Sequence, residues 1–364
     1  MTSRLAYAPS LALSPQGTIS SFDKSAATKT YSLPVTASWE IDLFGKLLNA
    51  KRGAQATLLQ TKAYRQAVQT QIIAGIANTY YTLLMLDRQM DISEQTADIM
   101  KRNVETMRAM KDAAMTNAAA VSQSETAYAQ VLASLPAIRQ SIRETENALC
   151  MLLRQAPQTI KRSTLEEQQL PSEFSVGIPL QLLSNRPDVK AAEMALANTY
   201  YNTNSARAAF YPQITISGSA GWTNSAGSMI VNPGKLLASA LGSLTQPLFY
   251  RGSNIARLKI AKAQQEEAKL AFQQSLLNAG SEVSNALSLY QTTAEKTSAR
   301  KFQVESAEKG AEYTKELFKL GTSTYLEVLS AEQSLLSARL SQVSDSFDSM
   351  QAVVSLYRAL GGGN

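Results

Sequence analysis

FYPQITISGSAGWT, residues 210–223, follows a stretch that reads as a charged helix, and there the charge disappears. No residue between Arg207 and Lys235 is charged. From Gln213 the side chains alternate: Ile214, Ile216, Gly218, Ala220 and Trp222 form an apolar face, and Gln213, Thr215, Ser217, Ser219 and Thr223 a polar one. Period two marks a strand whose faces meet different surroundings. A soluble half-buried strand alternates too, but its wet face ordinarily carries Lys or Glu. A neutral polar face, a length near ten residues and aromatics at the ends predict a tilted strand crossing a bilayer, which takes about 9–11 residues.

Three other stretches read the same way. In TYSLPVTASW (Thr30–Trp39), Tyr31, Leu33, Val35, Ala37 and Trp39 oppose Thr30, Ser32, Pro34, Thr36 and Ser38. A third, LLASALGSLTQPL, is uncharged from Leu236 to Tyr250. The fourth, PSLALS (Pro9–Ser14), is expected from the repeat below to pair with the third. Four strands cannot close a barrel, and lipid tolerates no open sheet edge. Four strands from each of three chains make twelve, an even number within the range of known barrels.

The chain repeats itself. Thr2–Ser14 aligns with Ser205–Ser217 at an offset of 203, placing Arg4, Tyr7, Pro9, Leu11 and Leu13 against Arg207, Phe210, Pro212, Ile214 and Ile216. The offset becomes 207 further on, where Ile76–Tyr80 faces Val283–Leu287, and Val121, Glu125, Leu149 and Leu153 face Val328, Glu332, Leu356 and Leu360. Each copy reads as a strand pair, a very long helix, a sharp turn and a return helix.

In the first repeat, residues 1–158, we expect a strand pair over 9–41, a long helix over 46–115, a turn at TNAA and a return helix over 120–155. Residues 159–187 form a linking segment. The second repeat, 188–364, reads as a helix over 188–210, a strand pair over 213–249, a long helix over 253–320 broken at Gly321, and a return helix over 323–360. A helix of about seventy residues spans roughly 105 Å. In the last helix Leu329, Leu336, Val343, Met350 and Tyr357 recur every seven residues, with Leu340, Phe347 and Val354 between them. That narrow seam is a coiled-coil signature, and it calls for a long bundle or tube.

Composition excludes other classes. Of 364 residues 45% are hydrophobic, so the chain can build a core. The net charge of +6 is spread among interleaved acids and bases, with no basic run for nucleic acid. There is no histidine, which removes the commonest general base and metal ligand. The single cysteine, Cys150 in ENALCMLL, reads as a small buried apolar residue. No Walker loop, GxGxxG or GxSxG occurs. We expect no enzymatic activity, no cofactor and no resident metal. MTSRLAYAPS lacks the features of a signal peptide, and no run of eighteen apolar residues predicts a transmembrane helix.

Three segments carry a resemblance: IPLQLLSNRPDVKAAEMALANTYYNTNSARAAFYPQITISGSAGW (178–222), ASWEIDLFGKLLNAKRGA (37–54) and SLTQPLFYRGSN (243–254), with the terminal LYRALGGGN. They resemble the TolC-like outer-membrane channels of tripartite efflux systems, in the branch of lipoproteins serving resistance-nodulation-division pumps. The resemblance implies a mainly α protein with a small β part. Long antiparallel helical hairpins would form one third of an α-barrel tunnel, and four strands would join a twelve-stranded outer-membrane β-barrel shared by a homotrimer. It implies an equatorial belt including 160–187. It also implies a periplasmic adaptor and an inner-membrane pump as partners, contact with outer-membrane lipid, and passive export of drugs, metal ions or other small molecules.

The resemblance also places sites. Adaptor-docking tips fall at Leu320, Gly321 and Thr322 and at Ala114, Met115 and Thr116, with Ala114 standing where the family's glycine would be. A pore constriction falls at Glu327 and Ser330, with Ala120 and Gln123 as counterparts. A ring of three Glu327 carboxylates would favour cations and admit block by multivalent ones. Glu327 also reads as an ordinary solvated helix residue. Arg186, Pro187 and Asp188 read as structural, with Asp188 capping the helix after Pro187. The first repeat lacks a counterpart of the 187–209 helix, so we expect further residues upstream in the complete protein, with an export signal and often a lipid-modified cysteine. The rival reading is a coiled-coil scaffold without channel activity.

Overall fold

The computed structural model describes residues 2–21, 26–168, 185–223 and 235–362. The chain order is α1 (Thr2–Leu5), β1 (Ser10–Leu13), β2 (Gln16–Ser20), β3 (Thr28–Ile41), α2 (Lys46–Asp112), α3 (Ala118–Leu152), α4 (Pro187–Ala208), β4 (Gln213–Thr223), β5 (Lys235–Thr245), α5 (Ser253–Lys319) and α6 (Tyr325–Ala359). Residues 169–184 of the linking segment lie outside the described residues. Two compact units result, residues 1–64 with 188–276 and residues 65–187 with 277–364.

The first unit holds one antiparallel sheet ordered β1-β3-β4-β5, with β2 also on β3. Register brings like faces together. Leu33, Val35, Ala37 and Trp39 oppose Trp222, Ala220, Gly218 and Ile216, while Thr36 and Ser38 oppose Ser219 and Ser217. On the polar face the Thr215 and Ser243 hydroxyls lie 2.6 Å apart and those of Ser219 and Ser239 2.8 Å apart. The Trp39 indole N–H donates to the Tyr7 carbonyl at 2.9 Å.

Two strand expectations are corrected. Within one chain PSLALS does not pair with the third stretch. It forms β1 on β3, while β5 pairs with β4. Nor does the fourth stretch continue as one strand of about ten residues. Pro15 lacks an N–H and divides it into β1 and β2. Pro34 faces Gly221, and a Cβ on that glycine would lie 2.3 Å from the Leu33 carbonyl oxygen. Only a residue without a side chain fits there.

Helix α4 is held to α2 and α5 by polar groups on small residues, which let backbones approach. The Asn198 amide donates to the Gly53 carbonyl at 2.9 Å, and the buried Thr203 hydroxyl donates to the Ala261 carbonyl at 3.1 Å.

The second unit contains the turns and return helices of two hairpins of equal dimensions. Helices α2 and α5 each have 67 residues, and α3 and α6 each have 35. Every helix boundary of the second hairpin lies 207 residues after its counterpart, as do three left-handed turn residues: Gly45 and Gly252, Ala114 and Gly321, Arg154 and Gly361. The helices stop up to three residues inside the ranges expected from sequence, because capping turns take the ends. Leu84, Ile92, Leu165, Val343 and Met350 form one core cluster, which includes three seam or linker positions.

Residues 153–168 are pinned by charge. The Arg162 guanidinium pairs with Asp87 and, at 2.6 Å, with the buried Glu146. Burial pushes the Glu146 carboxyl up, but hydrogen bonds from Arg162 and the Ile160 amide hold it below its ordinary value. In the second hairpin the buried Asp345 ties α6 to α5, bound by Lys296 at 2.5 Å and Arg300 at 2.6 Å.

Candidate functional site at the hairpin turns

Both turns close in the same way. At the first, the Ala114 N–H donates to the Lys111 carbonyl at 2.9 Å and the Met115 N–H to the Met110 carbonyl at 2.8 Å. At the second, the Gly321 N–H donates to Phe318 and the Thr322 N–H to Leu317, both at 3.0 Å. These paired bonds are a Schellman motif, which needs one residue at positive φ. Gly321 has φ 75° and Ala114 φ 56°, so Ala114 adopts the glycine's conformation despite its Cβ. Met115 and Leu320 project into solvent, 71% and 76% exposed. The two turns are brought together: Met107, Met110 and Met115 share a groove of about 600 Å³ with Phe318, Gly321 and Tyr325.

The return helices start on matched caps. Asn117 accepts from the Ala120 N–H at 3.0 Å. Thr324 caps α6 in a capping box with Glu327, whose carboxylate accepts from the Thr324 N–H at 2.8 Å and from the Ser323 hydroxyl. The Ser323 hydroxyl and the Thr324 backbone hold the Glu327 carboxyl below its ordinary value. Glu327 is thus ionised and exposed, yet tied to the start of its helix. Ser330 and Gln123 are exposed, whereas Ala120 is half-buried against the cluster behind the turns.

That cluster draws on four helices. Met100 and Met107 come from α2, Val121 and Ala127 from α3, and Tyr325 and Leu329 from α6, with Phe318 of α5 packed against them. The Tyr325 hydroxyl donates to Ser124 Oγ at 2.7 Å, and Asn103 donates to Glu332 at 2.6 Å. Burial pushes the Glu332 carboxyl up, opposed by the Asn103 bond and by Lys315. Sequence reasoning missed Tyr325, Ser124 and Asn103. The available signal was a tyrosine directly after the cap, where the first repeat has Ala118.

Arg186 is buried at the start of α4. Its guanidinium donates to the Ala359 carbonyl at 2.8 Å and to Glu282 at 2.7 Å, joining the end of α6 to α5. Pro187 is the first residue of α4, where its missing N–H costs nothing. Asp188 corrects the expectation of a cap: it lies within the first turn, its Oδ1 accepting from the Val189 N–H at 3.0 Å. The residue before a helix caps it, and Pro187 already occupies the first helical position.

Among the described residues, no three His, Cys, Asp or Glu side chains are grouped to hold a metal, and no helix is long and apolar enough to cross a membrane.

The sequence matches the family described as "Outer membrane efflux protein" over residues 1–153 and 178–362. It is 28% identical to the cation efflux system protein CusC of Escherichia coli K12 over 343 residues, 93% of this chain and 74% of that protein. It is also 28% identical to the toluene efflux pump outer membrane protein TtgC of Pseudomonas putida over 349 residues, 93% of this chain and 71% of that protein. The open state of the Neisseria gonorrhoeae MtrE outer membrane channel superimposes with a TM-score of 0.90 at 26% identity, covering all of this chain and 82% of that one. With two matched hairpins and a bilayer-patterned sheet, the chain belongs to the outer membrane efflux protein family and is a TolC-like outer-membrane channel protein rather than an enzyme.

Proposed function

We propose that three copies of this chain share one twelve-stranded barrel and one periplasmic duct, the exit channel of a system completed by a periplasmic adaptor and an inner-membrane resistance-nodulation-division pump. The sheet carries this reading. Leu11, Leu13, Ile19, Ile216, Trp222 and Leu244 stand 43–73% exposed on it, an arrangement suited to lipid. β5 and the β1–β2 side form its edges among the described residues. In a bilayer both edges need partners, and pairing β5 of one copy with β1 of the next supplies them. The third and fourth stretches would then pair between copies.

Residues 1–158 and 188–364 act as two structural repeats, with 159–187 in an equatorial belt fastened by Arg162 and Leu165. The turns at Ala114, Met115 and Thr116 and at Leu320, Gly321 and Thr322 receive the adaptor. Glu327 and Ser330, with Ala120 and Gln123 as counterparts, narrow the periplasmic mouth. The two relatives are named for cations and for toluene and are equally distant from this chain. That supports a duct open to chemically unlike solutes, with selection made by the pump.

Amine crosslinking of the purified protein in detergent tests the assembly. A ladder ending at three chains is expected, and one ending at two or running past three rules out the closed trimer. Glu327→Gln, which keeps the capping hydrogen bond but removes the charge, should weaken block of single-channel current by trivalent cations. Unaltered block would take Glu327 out of the constriction.

A further inference from the structure

Charge is not shared evenly between the two units. The unit holding the sheet, residues 1–64 and 188–276, carries 15 Lys and Arg against 7 Asp and Glu, while the other carries 20 against 22. No basic run betrays this in the sequence, because the fold gathers the excess from segments far apart.

Part of it is gathered at one end of the sheet, where helix and strand join four times. Each junction sets a cation close to aromatic or leucine side chains: RLAY (4–7), DLFGK (42–46), RAAFY (207–211) and PLFYR (247–251). Contacts arrange the four in a row. At the first, Lys51 Nζ lies 5.5 Å from the centre of the Tyr7 ring, and Trp39 of β3 donates to the Tyr7 carbonyl. The Phe44 and Tyr211 rings then stack, with centroids 4.9 Å apart. The Gln246 amide donates to the Phe210 carbonyl at 3.0 Å, and the Asn254 amide to the Ala209 carbonyl at 3.1 Å.

The acids at this end of β3 are engaged. Glu40 pairs with Lys46 at 2.8 Å, and Asp42 accepts from the Leu48 N–H at 2.7 Å. Arg52, Arg251 and Arg257 are exposed and, among the described residues, make no ion pair. Leu248, Phe249 and Tyr250, directly before Arg251, stand 64–92% exposed. Free cations alone would suit water. Cations interleaved with exposed aromatics, at the end of strands whose apolar face suits lipid, suit the headgroup layer, where guanidinium groups meet phosphate.

We propose that this row of junctions binds anionic phospholipid headgroups of the inner leaflet of the outer membrane, with Arg52, Arg251 and Arg257 as the phosphate-binding cations. The binding fixes the depth of the barrel, since the apolar side chains resist moving into water and the arginines resist moving into hydrocarbon. The inference rests on the barrel reading, in which the helices leave the membrane on its periplasmic side.

Spin-labelled lipids test it, with the full chain reconstituted in phosphatidylcholine vesicles. At the wild-type surface, labelled phosphatidylglycerol should be preferred over labelled phosphatidylcholine by roughly threefold or more, and the preference should fall in high salt. Arg52→Gln, Arg251→Gln and Arg257→Gln combined should bring the two labels to parity. The single substitutions, each expected to lower the preference, serve if the combined variant does not assemble. Lys101→Gln, Lys301→Gln and Lys309→Gln remove the same charge from exposed positions of the other unit and should leave the preference intact. No preference in the wild type, or equal loss in both sets of variants, overturns the proposal. So does an unchanged lipid preference in the arginine variants with an altered ratio of anion to cation permeability, which would place the arginines on the pore. A wild type that immobilises neither label presents no barrel to lipid, so the barrel reading itself fails and the proposal with it.

Discussion

Arg186 and Gly361 meet so closely that a Cβ on the glycine would lie 3.1 Å from the arginine Cα. Gly361 has φ 97°, and Gly362, at φ 73°, would place a Cβ 2.5 Å from Thr70. The chain end folds against Arg186 while the Arg186 guanidinium closes the last turn of α6 at Ala359. Arg186 and the Ala359–Gly361 segment, far apart in sequence, are two halves of one contact.

Arg186→Lys keeps the charge but loses the planar fork that serves Ala359 and Glu282 together. We expect a loss of about 1–3 kcal/mol, the range for a hydrogen bond to a charged group and the buried acceptor it strands. Glu282 is half-exposed and can rehydrate, which keeps the loss out of the range for a fully buried pair. Denaturant titration reads it, and a midpoint equal to wild type would show the fork to be dispensable.

Ala114→Gly should stabilise the first hairpin by roughly 1 kcal/mol, because the alanine sits at φ 56° where its Cβ is strained. Gly321→Ala should cost a similar amount. Opposite shifts in thermal midpoint are expected. Shifts of the same sign would mean that something other than backbone strain decides.

Burial raises the Glu332 carboxyl, so the folded chain binds that proton more readily than the unfolded one. Its contribution to stability is present at low pH and is lost as pH rises through its folded value. Glu332→Gln keeps an acceptor for Asn103 and removes the buried charge, so at neutral pH it should match or exceed wild type, with the advantage shrinking in acid. Asp345 works in the opposite sense. Burial raises its carboxyl, but Lys296 and Arg300 outweigh that and hold it low, so its contribution is present above the ordinary carboxylate range and lost as pH falls through the lowered value. Asp345→Asn should therefore be most damaging at neutral pH. Melting curves from pH 4 to 8 would contradict this account if the two variants showed the same slope relative to wild type.

Gly221→Ala should impair the sheet itself. The added methyl would meet the Leu33 carbonyl and the Pro34 Cα at 2.3 and 2.4 Å, which are backbone atoms that cannot rotate away. Gly242, where an added methyl would find nothing within 4 Å, should accept alanine without effect. The yield of heat-resistant oligomer from outer-membrane fractions distinguishes the two. Equal yields would show that the strand can shift to make room.

Much of the fold was legible because its determinants are local or periodic. Alternation from Gln213 to Thr223 marks a strand between lipid and water, a seven-residue spacing from Leu329 to Tyr357 marks a packed helix, and similarity at a constant offset marks a repeat. Each is a property of neighbouring side chains, so the sequence alone determined the hairpins, the bilayer strands and the family. The tertiary structure decided what depends on distant atoms meeting. Within the chain it set β1 on β3 rather than on β5, forced Ala114 into a glycine's conformation, and brought Arg186 to Ala359. It also gave Tyr325 a partner in Ser124, 201 residues away. No spacing announces such a pair, because a hydrogen bond between two buried hydroxyls depends only on where two separate helices come to rest.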